Sequence, residues 1–442
     1  MYKTYPTFGL FWVNSKLTPA VGCTNHSLYN LYLTVNKKKI INDPVYGFLS
    51  IAYDTVYDII EHPYFQRLRY IQQLGLSSLV YPGALHTRFH HALGATHLMK
   101  QALETLMAKD VDISTQEAKA VTLAILLHDI GHGPFSHALE HSLVNIGHET
   151  LSLLFMQKLN EEFNGKLTLA IQIFKGEHPK NYLHELVSSQ LDMDRLDYLN
   201  RDSFFTGVQE GIIGFDRIIK MLDVRNNQLV VEYKGIYSVE QFLIARRLMY
   251  WQVYLHKTVL CAEVLLVKIL QRAKELAMQG TPLFAPPALK LFLENQFTLT
   301  DFEQNPDVFT AFATLGDAEI ITAIKAWQTN PDFILSRLCY SLINRKLPKI
   351  HLNKTEFDPN HVADLRHKVK QLYRLQTDAE THYFVFHNTT SNSAYSYEGS
   401  QINILYRNGV VKNVVEASDY SNLQSLAAPV VKYYLCHPKE LA

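Results

Sequence analysis

The sequence predicts a mainly α protein that ends in a small α+β region. Three observations carry that expectation. Apolar residues recur at three- and four-residue spacing through most of residues 54–278, the period of a helix with one buried face. The stretch from Ser238 to about Met278 holds neither Pro nor Gly, so nothing in it interrupts a long helix. Strand-like text is confined to short pieces, Gln228–Tyr233 and segments after Thr381.

Residues 1–34 are rich in aromatic and polar side chains with no period, and they lack the basic start and apolar run of a signal peptide. They are expected to be an unstructured extension or a misassigned start, with folding beginning near Val35. Asp43-Pro44-Val45-Tyr46-Gly47 reads as a turn, followed by a short apolar piece, Phe48 to Ile51. Helical spacing over 54–74 is interrupted at Pro63 and ended by Gly75. After the Tyr81-Pro82-Gly83 loop, helices are expected over Arg88–Lys109 and Thr115–Asp129. Ser114 and Glu117 form a capping-box pattern ahead of the second. Further helices are expected over 136–146, 148–163 and 182–200, and Asn226-Asn227 centres a β-hairpin within Val224–Lys234. His382–Phe386 and Ile402–Tyr406 read as strands, the latter leading into an Asn408-Gly409 turn. The implied organisation is a core over 35–220, a hairpin and long helix over 221–280 that complete it, a helical region over 281–380, and the α+β part over 381–442.

With 42 basic and 42 acidic side chains the formal net charge is +0, so neither nucleic-acid binding nor a membrane-surface role is indicated. No apolar run reaches the roughly 18 residues that span a bilayer. The four cysteines are scattered without a CxxC pair, which fits a reducing, cytoplasmic setting rather than a disulfide framework.

The chemistry concentrates in Leu126-Leu127-His128-Asp129-Ile130-Gly131-His132-Gly133-Pro134-Phe135-Ser136-His137. Successive helical side chains diverge by about 100°, so a helix interior would not aim His128 and Asp129 at one point. At a helix end, with Gly131 and Gly133 freeing the backbone, the objection weakens. The helix layout can add His91, from the first turn of the 88–109 helix, and Asp194, from the Asp-rich 182–200 helix. Two imidazoles and two carboxylates suit Fe, Mn, Zn or Ni, with positions left for water or phosphate oxygen. A lone helical His is more often a core or surface residue than a ligand, and an isolated His-Asp pair means little; the composite carries the signal. His132, His137 and His148 are candidates for acid–base work, with Glu140 placed to orient His137.

These residues resemble the HD-domain phosphohydrolases, and among them the deoxynucleoside triphosphate (dNTP) triphosphohydrolases that include the dGTPases and the sterile-alpha-motif HD enzymes. The matching text includes Phe65-Gln66-Arg67-Leu68-Arg69, Gln73-Leu74-Gly75, Tyr81-Pro82-Gly83-Ala84, Arg88-Phe89-His90-His91, the His128–His137 run, Asp194-Arg195-Leu196-Asp197-Tyr198 and Tyr254-Leu255-His256-Lys257. The resemblance implies an HD-type helical core with His91, His128, Asp129 and Asp194 as metal ligands, and His132, His137, His148 and Glu140 around the phosphates. It implies Arg88, Arg195 and Arg246 as phosphate or substrate contacts, and Gln73, Tyr198, Asp202 and Tyr254 around the deoxyribose and base. A tyrosine against the sugar 2′ carbon would exclude a ribose hydroxyl. The expected reaction releases deoxynucleoside and inorganic triphosphate, with Mg on the substrate phosphates and a homo-oligomeric enzyme. Alternatives are a phosphomonoesterase or phosphodiesterase on another nucleotide, and a nucleotide sensor without turnover.

Overall fold

Two helices form the centre of the fold, α1 (Arg88–Met107) and α2 (Thr115–Leu127). The structure is a computed structural model that describes residues 39–441, apart from 136, 141, 394, 396–399, 421–422 and 424–427. The side chains of 137 and 138 also lie outside the described residues, as does the whole of the 1–34 extension. All residues of α2 from Ala120 to Leu127 are buried, as befits a helix that is apolar on every side. Its start is the capping box read from the sequence: Ser114 Oγ accepts from Glu117 N–H, and the Glu117 carboxylate accepts from Ser114 N–H. At the start of α1, His90 Nδ1 accepts from Thr87 N–H at 3.2 Å. His90 is thereby occupied at the helix end, and His91 is the one that turns inward, fully buried.

The further long helices are α3 (His148–Glu162), α4 (Met193–Thr206), α5 (Ile236–Met249) and α6 (Lys257–Met278), with the shorter α7 (Pro306–Thr314) after them. Helices α2 and α4 both pack against α1. The strands form three small sheets. A hairpin of β1 (Ile40–Asp43) and β2 (Gly47–Ser50) packs on α1. A second hairpin, β3 (Leu222–Arg225) with β4 (Gln228–Glu232), turns through Asn226 and Asn227, both at positive φ. Strand β5 (Lys349–Asn353) and strand β6 (Phe386–Asn392) flank β9 (Val430–His437) in an antiparallel sheet. Strand β7 (Asn403–Leu405) joins β4 in parallel and pairs with β8 (Val411–Asn413), which ties the C-terminal region to the 221–280 segment.

Several expected elements differ. The 182–200 helix is two helices, Asn181–Val187 and α4, separated at Ser188–Asp192, where Asp192 caps α4 by accepting from Arg195 N–H at 2.7 Å. Of the expected 136–146 helix, His137–Glu140 is helical and 142–146 is turn and loop. The uninterrupted helix expected from Ser238 to Met278 is broken by a π-helical turn at Tyr250–Tyr254, before His256 caps α6. No Pro or Gly marks this break; a tertiary contact accompanies it, because the Tyr81 hydroxyl donates to the Gln252 carbonyl. His382–Val385 forms a turn rather than a strand, and β6 starts at Phe386.

Helix α4 packs tightly on α1 at Gly94, where a Cβ would overlap the Arg201 guanidinium and the Asp197 carboxylate. Gly94→Ala should therefore destabilise the protein by about 3 kcal/mol, through overpacking against a buried ion pair. Urea unfolding checks this; a loss under about 0.5 kcal/mol would show that the two helices can separate without cost.

Candidate metal centre and active site

The C-terminal end of the buried α2 delivers His128 and Asp129 from the core to an open cleft. Neither Gly131 nor Gly133 adopts a positive φ; the left-handed residue of the loop is Phe135, at φ 48°. The glycines serve close approach instead. A Cβ on Gly131 would overlap Ser152 N and His148 O at the start of α3, and one on Gly133 would overlap the Leu139 side chain. Ser152 joins the two segments by donating to His128 O and accepting from Gly131 N–H, at 2.8 and 2.9 Å.

The structure brings His91, His128, Asp129 and Asp194 together. The two imidazole Nε2 atoms are 3.3 Å apart. Asp194 Oδ1 lies 3.1 Å from His91 Nε2 and 3.5 Å from His128 Nε2. The Asp129 oxygens lie 3.8 and 3.5 Å from the same two nitrogens. The other ring nitrogens have partners: His91 Nδ1 donates to Asp197 Oδ2 at 2.7 Å, and His128 Nδ1 donates to Ile125 O at 2.6 Å. Those bonds hold a proton on each Nδ1 and aim both Nε2 atoms at one point, the arrangement of metal-bound histidines once the Nε2 protons give way to an ion. Nitrogen and oxygen donors at these spacings fit one divalent ion bound at about 2.0–2.2 Å.

Electrostatics agree with a site built for a cation. Burial opposes charge on His91, yet the carboxylates of Asp194 and Asp197 raise its pKa to about 10. Asp194 is held far below the usual carboxylate range, burial notwithstanding, by hydrogen bonds from His128 and His91. Asp129 is depressed likewise, against its burial, by His128, His132 and Arg88. A proton shared among such groups is what a bound ion would replace.

Beside this cluster, the His132 and His148 rings stack at 3.8 Å. His132 Nε2 lies 3.3 Å from Asp129 Oδ1, and the Glu140 carboxylate sits 3.0 Å from His148 Nδ1. Burial and then the Arg88 charge push His132 down to about 3, so it is a neutral hydrogen-bonding group. Glu140, expected beside His137, thus engages His148; the His137 side chain lies outside the described residues. His128, Asp129, His148, Asp194 and Arg195 line one cleft of about 540 Å³ together with Lys175 and His184. Arg88 pairs with Asp129 at 2.5 Å and Arg195 with Asp192.

A second group gathers further along α4. The Tyr254 hydroxyl donates to Asp202 Oδ2 at 2.9 Å, and the Tyr198 and Tyr254 rings meet edge to face at 5.9 Å. Tyr250, set beside Tyr254 by the π turn at 5.1 Å, completes an aromatic trio that the sequence reading missed. Three of the expected substrate contacts hold buried polar atoms with no hydrogen-bond partner among the described residues: Gln73 Oε1, Arg195 Nε, and Arg246 Nε with Nη1.

Also missed were the residues that hold the loop from behind. Arg67 is fully buried, donates to Ile130 O and His132 O at 2.7 and 2.8 Å, and lies between the Phe155 and Phe312 rings. Asp317 accepts from Gln72 N–H at 2.8 Å and Phe135 N–H at 3.1 Å, bridging the Gln73 segment to the loop. Arg67 stood in matching text, but nothing local shows that a guanidinium will meet carbonyls some sixty residues away.

Comparison with known proteins places this geometry. Residues 88–202 match the HD domain and residues 213–283 the HD-associated region. An uncharacterized protein of Bacillus subtilis, YwfO, is 31% identical over 399 residues, 87% of this chain and 88% of its own. A crystal structure of a phosphohydrolase from Bacteroides thetaiotaomicron is 52% identical, covers 91% of this chain and 100% of its own, and superposes with a TM-score of 0.88. The human deoxynucleoside triphosphate triphosphohydrolase SAMHD1 is 30% identical over 268 residues, 50% of this chain and 42% of its own length. The chain belongs to the HD-domain family, as an HD phosphohydrolase that carries the HD-associated region.

Burial raises Asp317 to about 6, against the hydrogen bonds it accepts. Its native form therefore binds more protons than the unfolded chain between pH about 4 and 6, and stability falls as pH rises through that window. Asp317→Asn lacks this titration. The stability gap between wild type and variant should shrink by about 1–3 kcal/mol from pH 4.5 to pH 7. A gap that stays constant in urea unfolding at the two pH values would rule this out.

Proposed function

We propose that the protein is a metal-dependent dNTP triphosphohydrolase, releasing deoxynucleoside and inorganic triphosphate. The observation that carries this reading is the set of buried, unpartnered polar atoms on Gln73, Arg195 and Arg246, of which the two arginines act on Tyr198 of the Tyr198–Tyr254–Asp202 group. Buried polar atoms without partners are costly; the phosphates of a polyanionic ligand would accept from the Arg195 and Arg246 nitrogens, and a sugar hydroxyl would donate to Gln73 Oε1. Asp194, Tyr198 and Asp202 sit one helical turn apart on one face of α4, spanning about 12 Å at 1.5 Å per residue. That span suits a ligand whose phosphate meets the His/Asp cluster and whose sugar meets Asp202. The likeness to SAMHD1 supports the same reading.

His91, His128, Asp129 and Asp194 would hold a divalent Fe, Mn, Zn or Ni ion. When bound, such an ion supplies Lewis-acid polarisation of a phosphoryl oxygen and acidifies a water. Arg88, Arg195 and Arg246 bind and orient the phosphates with charge-assisted hydrogen bonds. His132, neutral and packed on His148, fixes Asp129. His148, oriented by Glu140 at Nδ1, presents its other nitrogen as the proton donor to the leaving 5′ oxygen, a role for which His137 is the other candidate. Tyr198 against the sugar would select deoxyribose by exclusion.

Two measurements test this. Incubation with each dNTP and NTP plus Mn or Mg, followed by chromatography, should yield deoxynucleoside and triphosphate; monophosphate or pyrophosphate products would mean a different phosphohydrolase. Asp194→Ala should lose bound metal and turnover with far-UV helix content nearly intact. Unchanged metal stoichiometry in that variant would remove Asp194 from the ligand set.

A further inference from the structure

We infer that His86, to which neither the family match nor the reaction assigns a part, is the positioning residue of sugar recognition. It sits in the loop after Pro82-Gly83, and its side chain has no exposure. Three independent contacts converge on it. Its Nε2 is 2.8 Å from Asp202 Oδ1. Its ring stacks on Phe205 of α4, centroids 4.4 Å apart and planes within 17°. Its carbonyl accepts from the Gln73 backbone N–H at 3.0 Å. One residue thus ties together the segment that carries Gln73 and the carboxylate of Asp202.

A carboxylate offers only lone pairs, so the proton in the first contact belongs to His86 Nε2, and His86 donates. Its Nδ1 is buried and has no hydrogen-bond partner among the described residues. Burying an unpaired nitrogen is unfavourable, and the ring is kept there by the bond to Asp202 and the stack on Phe205. Tyr254 donates to Asp202 from the other side, at Oδ2. Each carboxylate oxygen then carries one fixed donor and retains one lone pair, so the group cannot rotate and presents an acceptor in a set direction. Tyr254 is pinned by the same carboxylate, and the Tyr198 ring meets it edge to face. His86 acts through Asp202 and Tyr254, never on the substrate itself. The loop lies close against α4, since a Cβ on Gly83 would overlap Phe205 O.

This inference rests on the proposed placement of the sugar at Gln73, Asp202 and Tyr254. The test is steady-state hydrolysis of a dNTP and the matching NTP by wild type, His86→Phe and His86→Gln, with bound metal and thermal midpoint measured alongside. His86→Phe keeps a ring for the stack and loses the donor; His86→Gln keeps an amide donor. The expected result is a KM for dNTP raised about tenfold or more in His86→Phe, with kcat within about threefold, metal content unchanged and the deoxy-to-ribo preference narrowed. His86→Gln should recover most of that preference. A wild-type KM and preference in His86→Phe would overturn the inference, as would a parallel fall in kcat and metal content, the mark of a general structural role. If His86→Phe does not fold, His86→Gln decides alone: retained preference supports the inference and lost preference overturns it. Wild type that hydrolyses no dNTP, or does not prefer deoxyribose, fails in its own assay; that outcome sinks the proposed function and this inference with it.

Discussion

The arrangement on which the site depends is a chain of buried charges, His91–Asp197–Arg201–Asp43. Asp197 accepts from His91 Nδ1 and from Arg201 at Nε and a terminal nitrogen, while Arg201 also reaches Asp43 at 2.8 Å. His91, Asp197 and Arg201 have no exposure. Isolated ions at such depth would be strongly unfavourable, and only complete mutual pairing makes the chain tolerable. That requirement dictates geometry. Helices α1 and α4 must come within touching distance, which Gly94 permits. The N-terminal hairpin must close over them, and Asp43 fastens it by accepting from Val45 and Tyr46 N–H. With Asp197 fixed, His91 has one ring orientation and one tautomer, so its Nε2 is aimed before any ligand arrives.

A second layer of support comes from the far end of the chain. Phe312 of α7 covers Arg67, and Asp317 grips the backbone at Gln72 and Phe135. Among the described residues Arg67 has no carboxylate partner; burial and the nearby Arg88 lower its pKa to about 9. Its hydrogen bonds to Ile130 O and His132 O hold the loop that spans the two candidate clusters. The segment after residue 281 therefore braces the loop through Phe312 and Asp317. Bracing needs an apolar ring and one carboxylate at the right depth, and many sequences provide those.

The parts legible in the sequence are those encoded locally. His128-Asp129 at a helix end, His91 in a first helical turn and the Asp-rich text of α4 could be read as candidate donors because type and spacing sit within a few residues. The capping box at Ser114 and the hairpin at Asn226-Asn227 were legible for the same reason. The Asp-rich text of the expected 182–200 helix offered Asp194 as a donor, but did not show that Asp192 caps the helix and Asp197 supports His91. What stayed hidden is long-range. Ser152, Arg67, Asp317 and His86 each act on backbone or side chains more than twenty residues away, and nothing adjacent to them announces it. The π turn was hidden too, since its residues are ordinary helix formers.

The density of acidic residues on α4 follows from asking one helix to serve two environments. With 3.6 residues per turn, positions 194, 198 and 202 share one face, while 197 and 201 share a neighbouring one, buried against α1. The first face presents Asp194, Tyr198 and Asp202 toward the clusters; the second supplies the Asp197–Arg201 pair that anchors His91. A carboxylate on either face alone would be a liability in so enclosed a position. Each instead has donors assigned to it: Asp192 the helix N-terminus and Arg195, Asp194 the two imidazoles, Asp197 His91 and Arg201, Asp202 His86 and Tyr254. The helix can carry four buried or half-buried acids because each is neutralised or hydrogen-bonded by a different neighbour, and the order of those neighbours along the helix is the order of the chemistry proposed for the cleft.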